Sequence, residues 1–453
     1  MNAPNPLGII DDELVEQIIR RASSSTFDEW WSRVLASGHC AHPVRVTRLT
    51  PDGVATVFLR CKDRRASVCP SCSALYASDT WHLVHAGLAG GDGIPDTVGD
   101  HPVVFATLTA PSFGPVRSTR TDANRHPQQC HPKASVPSKH RELHVCLLVH
   151  NAGDELVGQP LCLPCYDYVG HALFTWHAPA PWNRFGIELR RLVRRAAGVG
   201  VRVSFVKVME MQARAIPHYH AIIRLDAVTQ DGTPRPPAGE LTADDLGVLV
   251  IRAVARANLP VLDIDGAARE LVFGNQIDVQ PLTRDGDAET IAAARHVAGY
   301  LAKYVTKSAT DLGIAARRIP APGIELLEVT DHVRELLRTF VSLAEAVPDY
   351  TSMTDWLHTL GYRGHTTSKS RRYSTTMGAL REKRTRHART AIDAELNDDA
   401  VWEFTGTGHK NLGDRYLAVS SAIKHHEEVW AARQFGDVSS PFVDLRDVET
   451  GGA

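Results

Sequence analysis

The chain has 453 residues, which is long for one domain and predicts roughly two to four domains. Its 50 lysines and arginines are balanced by 52 aspartates and glutamates, so overall charge does not mark a nucleic-acid binder and any such surface must be local. Hydrophobic residues at 43% and charged residues at 23% exclude a disordered or fibrous chain. No apolar run approaches the roughly 20 residues that span a bilayer, and the N-terminus lacks the pattern of a signal peptide. We therefore expect a cytoplasmic protein without membrane contact.

The first hundred residues combine helical, strand-like and cysteine-bearing segments. Apolar residues recur at helical spacing over residues 11–37, and the runs 43–49 and 55–61 are typical of short strands. Residues 86–100 carry four glycines among their first eight positions and predict a linker or mobile loop. We expect residues 1–99 to form an N-terminal helical and zinc-binding region.

The eight cysteines form two sets of four along the chain, and each set ends in a Cys-x-x-Cys pair. Thiols of a cytoplasmic protein stay reduced, and Cys-x-x-Cys can supply two corners of a tetrahedral zinc site. We predict two structural Zn²⁺ ions. The ligands of the first are Cys40, Cys61, Cys69 and Cys72, and those of the second come from Cys130, Cys146, His150, Cys162 and Cys165. His42 or His131 could replace a cysteine, and a single zinc built from both Cys-x-x-Cys pairs is the alternative.

The middle of the chain predicts a sheet interrupted by a polar insertion. Residues 101–111 are rich in β-branched residues, as in a core strand, and a polar segment at about 120–170 follows as an inserted module. A helix is predicted over 184–198, and the strands 201–212 and 217–226 are separated by a short connection. We expect residues 100–310 to form one domain that contains this insertion.

Two histidines mark the second of these strands. His218 and His220 flank Tyr219, so in a strand both imidazoles point to the same face. Such a pair can hold a metal ion and leave positions open for a substrate, and Glu210 or Gln212 on the preceding strand could add an oxygen ligand. A His-x-His triplet alone is equally typical of a solvated strand face.

A helix predicted over residues 287–308 carries two tyrosines and two lysines on one stripe. Tyr300, Lys303, Tyr304 and Lys307 follow the spacing i, i+3, i+4 and i+7. A phenol with a pKa near 10 is a poor nucleophile unless cations stabilise its phenolate, and the lysines provide that charge. The alternative is that the tyrosines pack against the core and the lysines form a solvated edge.

The last third, residues 311–453, predicts a C-terminal helical region with a basic segment. A helix is expected over 330–347, and residues 361–389 contain nine lysines and arginines against one glutamate, a local balance of +8. Two tyrosines within this segment, Tyr362 and Tyr373, could offer ring faces to bases. We predict DNA contact by the segment. The candidate side chains are Arg363, Lys369, Arg371, Arg372 and Tyr373.

Three motifs stand in order: FATLT at 105–109, PHYHA at 217–221 and YLAKYVTK at 300–307. They resemble the motifs of the HUH endonuclease superfamily, the initiators of rolling-circle replication, and the doubled tyrosine resembles the two-tyrosine initiators of small single-stranded-DNA phages. The fuller matches FATLTAPSFGPV, CPSC, CLPCYDY, MEMQAR and GYRGHTTSKSRRYSTTMGALR look like replication initiators of actinobacterial plasmids and integrative conjugative elements. The resemblance covers about residues 40–390. Two departures are Ala215, where glycine is common, and Tyr219, where a simpler side chain is common.

The resemblance implies an α+β fold: a five-stranded antiparallel sheet with the histidine strand central and the tyrosine helix over it, plus zinc-stabilised N-terminal and inserted modules. It also implies transesterification, in which Tyr300 or Tyr304 attacks one DNA strand, leaving a 5′-phosphotyrosine and a free 3′-hydroxyl, with Lys303 and Lys307 assisting. Mg²⁺ or Mn²⁺ would sit at the histidines. Thr107 and Thr109 of the first motif would contact DNA.

The implied partners are single-stranded or supercoiled origin DNA together with a host helicase and polymerase, because the chain has no P-loop motif for unwinding DNA itself. Two other functions remain compatible with the sequence. One is a related two-tyrosine transposase or conjugative relaxase, which shares the chemistry but acts on other DNA. The other is a non-catalytic, zinc-dependent DNA-binding regulator.

Overall fold

The computed structural model describes residues 10–51, 53–133, 144–151, 153–239, 241–282, 287–392 and 401–435, so parts of the predicted insertion and of the C-terminal region lie outside the described residues. Its helices are α1 Asp12–Ala22, α2 Phe27–Ala36, α3 Pro70–Ala89, α4 Tyr168–His177, α5 Pro179–Ala197, α6 Ala243–Val254, α7 Asp287–Tyr304, α8 Asp331–Ala346, α9 Met377–Ile392 and α10 Leu412–Phe435. Its strands are β1 Val44–Thr50, β2 Gly53–Leu59, β3 Val103–Leu108, β4 Arg120–Thr121, β5 Pro127–Gln128, β6 Val201–Met211, β7 Pro217–Ala227, β8 Leu259–Leu262, β9 Ala268–Leu271, β10 Ile277–Pro281, β11 Thr367–Lys369 and β12 Glu403–Thr407. Within these ranges, no helix combines the length and the apolar character that crossing a membrane requires.

The chain divides into two compact units, and neither is continuous in sequence. Of the described residues, those within 87–294 and 307–374 form the first unit, and those within 3–86, 295–306 and 375–453 form the second. This division differs from the three consecutive regions expected from the sequence. The C-terminal part joins the N-terminal part because β12 pairs with β1.

The first unit is built on a five-stranded sheet of described residues, with the order β10-β3-β7-β6-β11 and antiparallel pairing throughout. The prediction of a five-stranded antiparallel sheet is confirmed, and the histidine strand β7 is its central strand. The longest pairing joins β6 to β7, from Val201 opposite Ala227 to Met211 opposite Pro217. Alternating β-branched and polar residues favour these strands.

The two faces of this sheet have different chemistry because strand side chains alternate. One face packs into the main hydrophobic core through Tyr219, Ala221 and Ile223 of β7, against side chains of α4, α5, α6 and α8. The opposite face carries His218 and His220 of the same strand. Burial of the apolar face therefore fixes which residues the other face presents.

The turn between β6 and β7 is held in an unusual conformation. Ala215 has φ of 64°, in the left-handed region, and its N–H donates to the carbonyl of Gln212 at 2.8 Å. Two buried histidines then hold the turn's carbonyl oxygens: His171 Nε2 lies 3.1 Å from the oxygen of Ala215, and His332 Nε2 lies 3.1 Å from that of Arg214. The turn that sets the hairpin register is thus anchored from α4 and α8.

The second unit contains the three-stranded sheet β12-β1-β2 and joins the N-terminal and C-terminal segments of the chain. Arg21 of α1 binds Asp414 of α10 through two hydrogen bonds of 2.7 and 2.9 Å, and the Asp414 side chain is buried. A paired, doubly hydrogen-bonded carboxylate of this kind can be buried without a large penalty.

The glycine-rich segment 86–100 is more ordered than predicted. Its first residues complete α3, which runs from Pro70 to Ala89, and residues 96–100 form a 3₁₀ helix. Only the positions between these two helices follow the prediction, because Gly90, Gly91 and Gly93 adopt positive φ angles there. Helix α3 extends into this segment because its apolar face continues through the buried Val84 and Leu88.

The turn conformation at Ala215 generates a stability prediction. A left-handed conformation costs an alanine about 1–2 kcal/mol, and glycine avoids this cost while losing more chain entropy on folding. We expect Ala215→Gly to raise the free energy of unfolding by about 0.5–1 kcal/mol, measured by urea denaturation.

Ala221→Gly is the matched control, because Ala221 is equally buried but lies in the regular strand β7. It should lower stability by about 0.5–1 kcal/mol or more. Equal destabilisation by both substitutions would contradict the proposed strain at Ala215.

Candidate functional site

A group of polar side chains occupies the non-core face of the first unit's sheet. Glu210 of β6 is paired directly opposite His218 of β7, and the two histidine rings lie 4.6 Å apart at 69°. His220 Nε2 is 3.2 Å from Glu210 Oε2, and Lys307 donates from Nζ to Glu210 Oε1 at 2.7 Å. The structure therefore brings together two imidazoles, one carboxylate and one ammonium group.

Neighbouring side chains orient the two imidazoles. The hydroxyl of Thr107, on the adjacent strand β3, lies 3.3 Å from His220 Nδ1. Gln212 Nε2 lies 3.2 Å from His218 Nδ1, and the Gln212 side-chain oxygen Oε1 accepts from Arg214 Nε at 3.0 Å. Gln212, predicted from the sequence as a possible metal ligand, contacts the ring of His218, and Thr107 contacts the ring of His220.

Burial and charge set the protonation of this group. Burial, together with the neighbouring His220, lowers the pKa of His218 to about 4, so the His218 ring is neutral at pH 7. Burial alone would raise the pKa of Glu210, but hydrogen bonds from His220 and Lys307 outweigh it and hold that pKa below its usual value. A neutral imidazole and an ionised carboxylate are the forms that bind a cation.

His218, His220 and Glu210 offer nitrogen and oxygen ligands that suit a divalent ion, although their ligand atoms are less closely grouped than those of a structural metal site. Among the described residues, three groups of histidines and cysteines have ligand atoms within 4.8 Å of one another, and His218, His220 and Glu210 are not one of them. The pairing of Lys307 with Glu210 supplies a positive charge at this carboxylate.

The tyrosine helix α7 enters the second unit at residue 295, and its tyrosines lie in that unit. Tyr300 is 37% exposed, its ring centroid is 4.7 Å from that of Tyr304, and Lys303 is exposed on the same stripe. Leu301, Ala302 and Val305 are buried on the other faces. The structure thus leaves the Tyr300 side chain accessible and Tyr304 half-buried.

Lys307 does not belong to this helical stripe, which corrects the sequence prediction. The helix α7 ends at Tyr304, and Ser308 begins a new capped turn by accepting from Thr310. The carbonyl of Val305 accepts a hydrogen bond from Arg64 at 2.9 Å within the second unit. Because the helix stops there, Lys307 reaches Glu210.

The first predicted zinc set converges in the second unit. The ligand atoms of Cys40, Cys61, Cys69 and Cys72 all lie within 4.8 Å of one another. The Cys40 sulfur is 3.8 Å from that of Cys69 and 3.7 Å from that of Cys72, close to the about 3.8 Å that tetrahedral Zn–S bonds of 2.3 Å imply.

The second predicted zinc set does not converge on one point. Cys130, Cys146 and His150 form one group, with the Cys146 sulfur 3.3 Å from His150 Nε2. Cys162 and Cys165 form a separate group with His144, a residue absent from the predicted set. The spacing of the Cys-x-x-Cys pair could not indicate its partner, because that partner comes from a segment folded against it.

Comparison with known proteins adds a family to this geometry. The family model described as "RepSA: Replication initiator protein, pSAM2" matches residues 26–423. The chain belongs to this replication initiator family. A "Replication initiator protein" of Streptomyces ambofaciens is 36% identical to it over 92% of this chain and 94% of the relative. No solved structure matches.

The basic segment of this initiator differs from its sequence prediction. Tyr373 is 0% exposed, because its ring packs on Gly87 and on the Arg224 guanidinium 5.2 Å away, and Tyr362 is also buried. Neither ring face is offered to bases in this conformation. Lys369 is likewise engaged, since its ammonium donates to three loop carbonyls, including that of Ser374 at 2.9 Å.

The remaining predicted DNA contacts divide by exposure. Arg371 and Arg372 are exposed, and Arg363 is exposed with its guanidinium over the ring of Trp176 at 3.7 Å. Thr109 is buried and donates to the carbonyl of Gln276 at 2.6 Å. The three arginines therefore stay candidates for phosphate contact, whereas Thr109 holds β3 to the segment before β10.

A cleft of about 910 Å³ opens beside the histidine site within the first unit of the initiator. Its lining residues include Glu210 and Gln212 of the sheet and also Arg117 and His131 of the inserted segment. Its lining also includes the exposed Asn275. The cleft therefore connects the inserted segment to the histidine site, an arrangement that no sequence motif indicates.

The anchoring histidines give the initiator a predicted pH dependence. Burial lowers the pKa of His332 to about 4 from its usual value of 6.5. Since the unfolded chain takes up this proton below pH 6.5 and the folded chain only near pH 4, stability should fall as pH is lowered through that window. At pH 5 the loss from this residue is about 2 kcal/mol.

Replacement by glutamine tests this, because an amide can still donate to the Arg214 carbonyl and accept from Tyr168 but does not titrate. Between pH 7 and pH 5, His332→Gln should lose less stability than the wild type in urea denaturation. His126→Gln, at an exposed histidine, is the control and should follow the wild type. Parallel curves for all three proteins would contradict the assignment.

Proposed function

We propose that this protein initiates replication by nicking one DNA strand with a tyrosine, and that it rejoins strands by the reverse reaction. The observation that carries the proposal is the single sheet face on which His218, His220, Glu210 and Thr107 meet Lys307. Membership of the replication initiator family favours replication over transposition or conjugative transfer. A purely structural site would not need an accessible tyrosine–lysine stripe on the same chain.

The proposed reaction is a transesterification. The phenol oxygen of Tyr300 or Tyr304 attacks a backbone phosphorus, the P–O3′ bond breaks, and a P–O bond to tyrosine forms. The phenolic proton passes to solvent, and the departing 3′ oxygen takes up a proton to become the hydroxyl that primes synthesis. Because one phosphodiester bond is exchanged for another, the bond energy is retained in the covalent link. The second tyrosine can therefore accept a later strand without ATP.

The residues of the site would bind and orient the phosphate. His218, His220 and Glu210 would hold Mg²⁺ or Mn²⁺, which when bound supplies positive charge to a phosphate oxygen. The Lys303 ammonium lies one helical turn after Tyr300 and would lower the cost of forming a phenolate. Lys307 follows Tyr304 by three residues, so the chain itself tethers the tyrosines to the residue that pairs with Glu210.

Zinc at the four N-terminal cysteines would support the tyrosine helix. The segment between Cys61 and Cys69 carries Arg64, whose guanidinium holds the Val305 carbonyl just beyond the end of α7. Backbone N–H groups also donate to the sulfurs, for example from Ala41 to Cys69 at 3.3 Å, as around bound zinc. A metal-fixed loop of this kind would position the tyrosines without a large apolar core.

The DNA strand would lie along the cleft that joins the histidine site to the inserted segment. Arg214 and Arg117 line this cleft, and the exposed Arg371 and Arg372 add positive charge to the first unit. Phosphate contacts by such side chains position the strand and make binding depend on salt.

The decisive experiment looks for a covalent adduct. The protein is incubated with Mn²⁺ and single-stranded oligonucleotides that tile the DNA flanking its own gene, and adducts are detected by denaturing gel before and after protease. The wild type should form a protease-sensitive adduct at one site. Tyr300→Phe combined with Tyr304→Phe should abolish it and leave DNA binding intact.

Tyr416→Phe, on α10 of the same unit, is the matched control and should form adduct as the wild type does. Adduct formation by the double variant at the wild-type rate would refute the tyrosine assignment. Binding without any adduct in the wild type would instead favour the non-catalytic regulator.

Thr107 gives a second test of the same site. Its hydroxyl fixes the orientation of the His220 ring, and such outer contacts typically change metal affinity or activity about 10–100-fold. Thr107→Val should therefore raise the Mn²⁺ concentration needed for half-maximal nicking by about tenfold or more. Thr107→Ser keeps the hydroxyl and should behave as the wild type; an unchanged Mn²⁺ requirement in Thr107→Val would exclude this role.

A further inference from the structure

We propose that the inserted segment holds two metal ions in separate centres, so that the protein binds three structural zinc ions rather than two. One centre is Cys130, Cys146 and His150, and the new one is His144 with Cys162 and Cys165. A tetrahedral zinc takes four ligands, whereas these two groups together offer six ligand residues.

His144 provides the strongest argument for the new centre. Its side chain is 2% exposed, and neither ring nitrogen has a hydrogen-bond partner among the described residues. Leaving a buried polar group unpaired destabilises the folded state, so such a group in a native protein needs an explanation. A ring nitrogen within 4.8 Å of two cysteine sulfurs is explained by a bound metal ion.

The cysteine pair has the local structure of a metal knuckle. Residues Leu163–Cys165 form a 3₁₀ turn, in which the Cys165 N–H donates to the Cys162 carbonyl at 3.3 Å. This turn brings the two sulfurs to 2.8 Å, between the about 2.05 Å of a disulfide and the about 3.8 Å of two thiolates on one zinc ion. Two thiolates and an imidazole form a ligand set that selects zinc.

The other centre has independent support. Cys130, Cys146 and His150 are brought together by a two-way backbone pairing of His131 with Cys146, in which each N–H donates to the other's carbonyl at 2.8 Å. His150 Nδ1 also lies 2.6 Å from Asp154 Oδ2. A carboxylate behind a histidine in this way fixes the ring for metal binding through its other nitrogen.

The inserted segment has little other means of holding its shape. Its buried apolar cluster consists of Cys130, Cys146 and Leu161, while Leu147 and Leu148 are exposed. Metal ligation can replace a core in so small a module. The His144 centre would also tie the segment to the start of α4, because Tyr166 follows Cys165 directly and its hydroxyl lies 3.0 Å from His171, which anchors the β6–β7 turn.

Metal content measured by mass spectrometry tests the proposal without relying on nicking, so it can fail while the proposed function stands. Wild-type protein should carry one zinc for each of the three ligand groups. His144→Ala and Cys162→Ser should each lose one zinc, and the two combined should still lose only one. His144→Ala combined with Cys146→Ser should lose two. His144→Cys should retain full content, because cysteine also binds zinc.

His126→Ala is the control within the same segment, because this exposed histidine pairs with Asp122 and is outside both groups. It should keep the wild-type content. If His144→Ala also keeps the wild-type zinc content, His144 does not hold a zinc ion. If the His144→Ala/Cys146→Ser double variant loses only one zinc, the two groups share one centre. Either result would make the proposal fail.

A second measurement on the wild type avoids variants that might misfold. During slow chelation, alkylation mapped by peptide mass spectrometry should show Cys162 and Cys165 becoming reactive together, in a step separate from Cys130 and Cys146. Simultaneous exposure of all four with release of one zinc would overturn the proposal. So would failure to alkylate Cys162 and Cys165 after full denaturation without reductant, since that would indicate a disulfide.

Discussion

The candidate site depends on the register of the β6–β7 hairpin. A strand presents alternate residues to opposite faces, so the pairing that buries Tyr219 in the core also places His218 and His220 on the other face. A slip of one residue would bury the histidines in the core and expose the apolar row. The register is fixed at the turn, where Ala215 is held in a left-handed conformation by His171. The conformation of one short turn therefore determines both the packing of the core and the position of the two histidines.

The same sheet face carries a second buried polar group that stabilises the histidine strand. Arg224 and Asp226 are fully buried on β7, four and six residues beyond His220, and form a hydrogen bond of 2.6 Å. His101 and Ser204 also form hydrogen bonds with the Asp226 carboxylate. Although burial would raise the pKa of Asp226, these hydrogen bonds and the one from Arg224 hold it well below the usual range. A buried ion pair stabilises a fold only when its partners are satisfied. The partners of Arg224 and Asp226 are satisfied, so the polar face of the sheet can be buried around this pair and still be accessible beside His218 and His220.

The sequence predicted those features that depend on local periodicity. The hairpin strands, the histidine pair on one face, and the buried and exposed sides of the tyrosine helix follow from spacings of two and of three or four residues. Features decided by distant contacts were missed. Lys307 leaves the helical stripe because α7 ends at Tyr304, just before the Val305 carbonyl that Arg64 binds, and Tyr373 is buried because Gly87 leaves room for its ring. His144 joined no predicted site, since nothing in its spacing names Cys162 as a neighbour.

The loop between the N-terminal cysteines makes a hydrogen bond at the end of the tyrosine helix. A nucleophile must be aligned with the phosphate within fractions of an ångström, and a helix end usually frays because its last carbonyls lack partners. In the second unit, the Val305 carbonyl finds its partner in Arg64, from the loop that joins Cys61 to Cys69. Zinc would freeze that loop at both ends, which lowers the entropy lost when Arg64 is ordered. Under the proposed function, zinc at these cysteines would act on the tyrosine helix through one backbone hydrogen bond, and its role in the proposed reaction would be one of alignment.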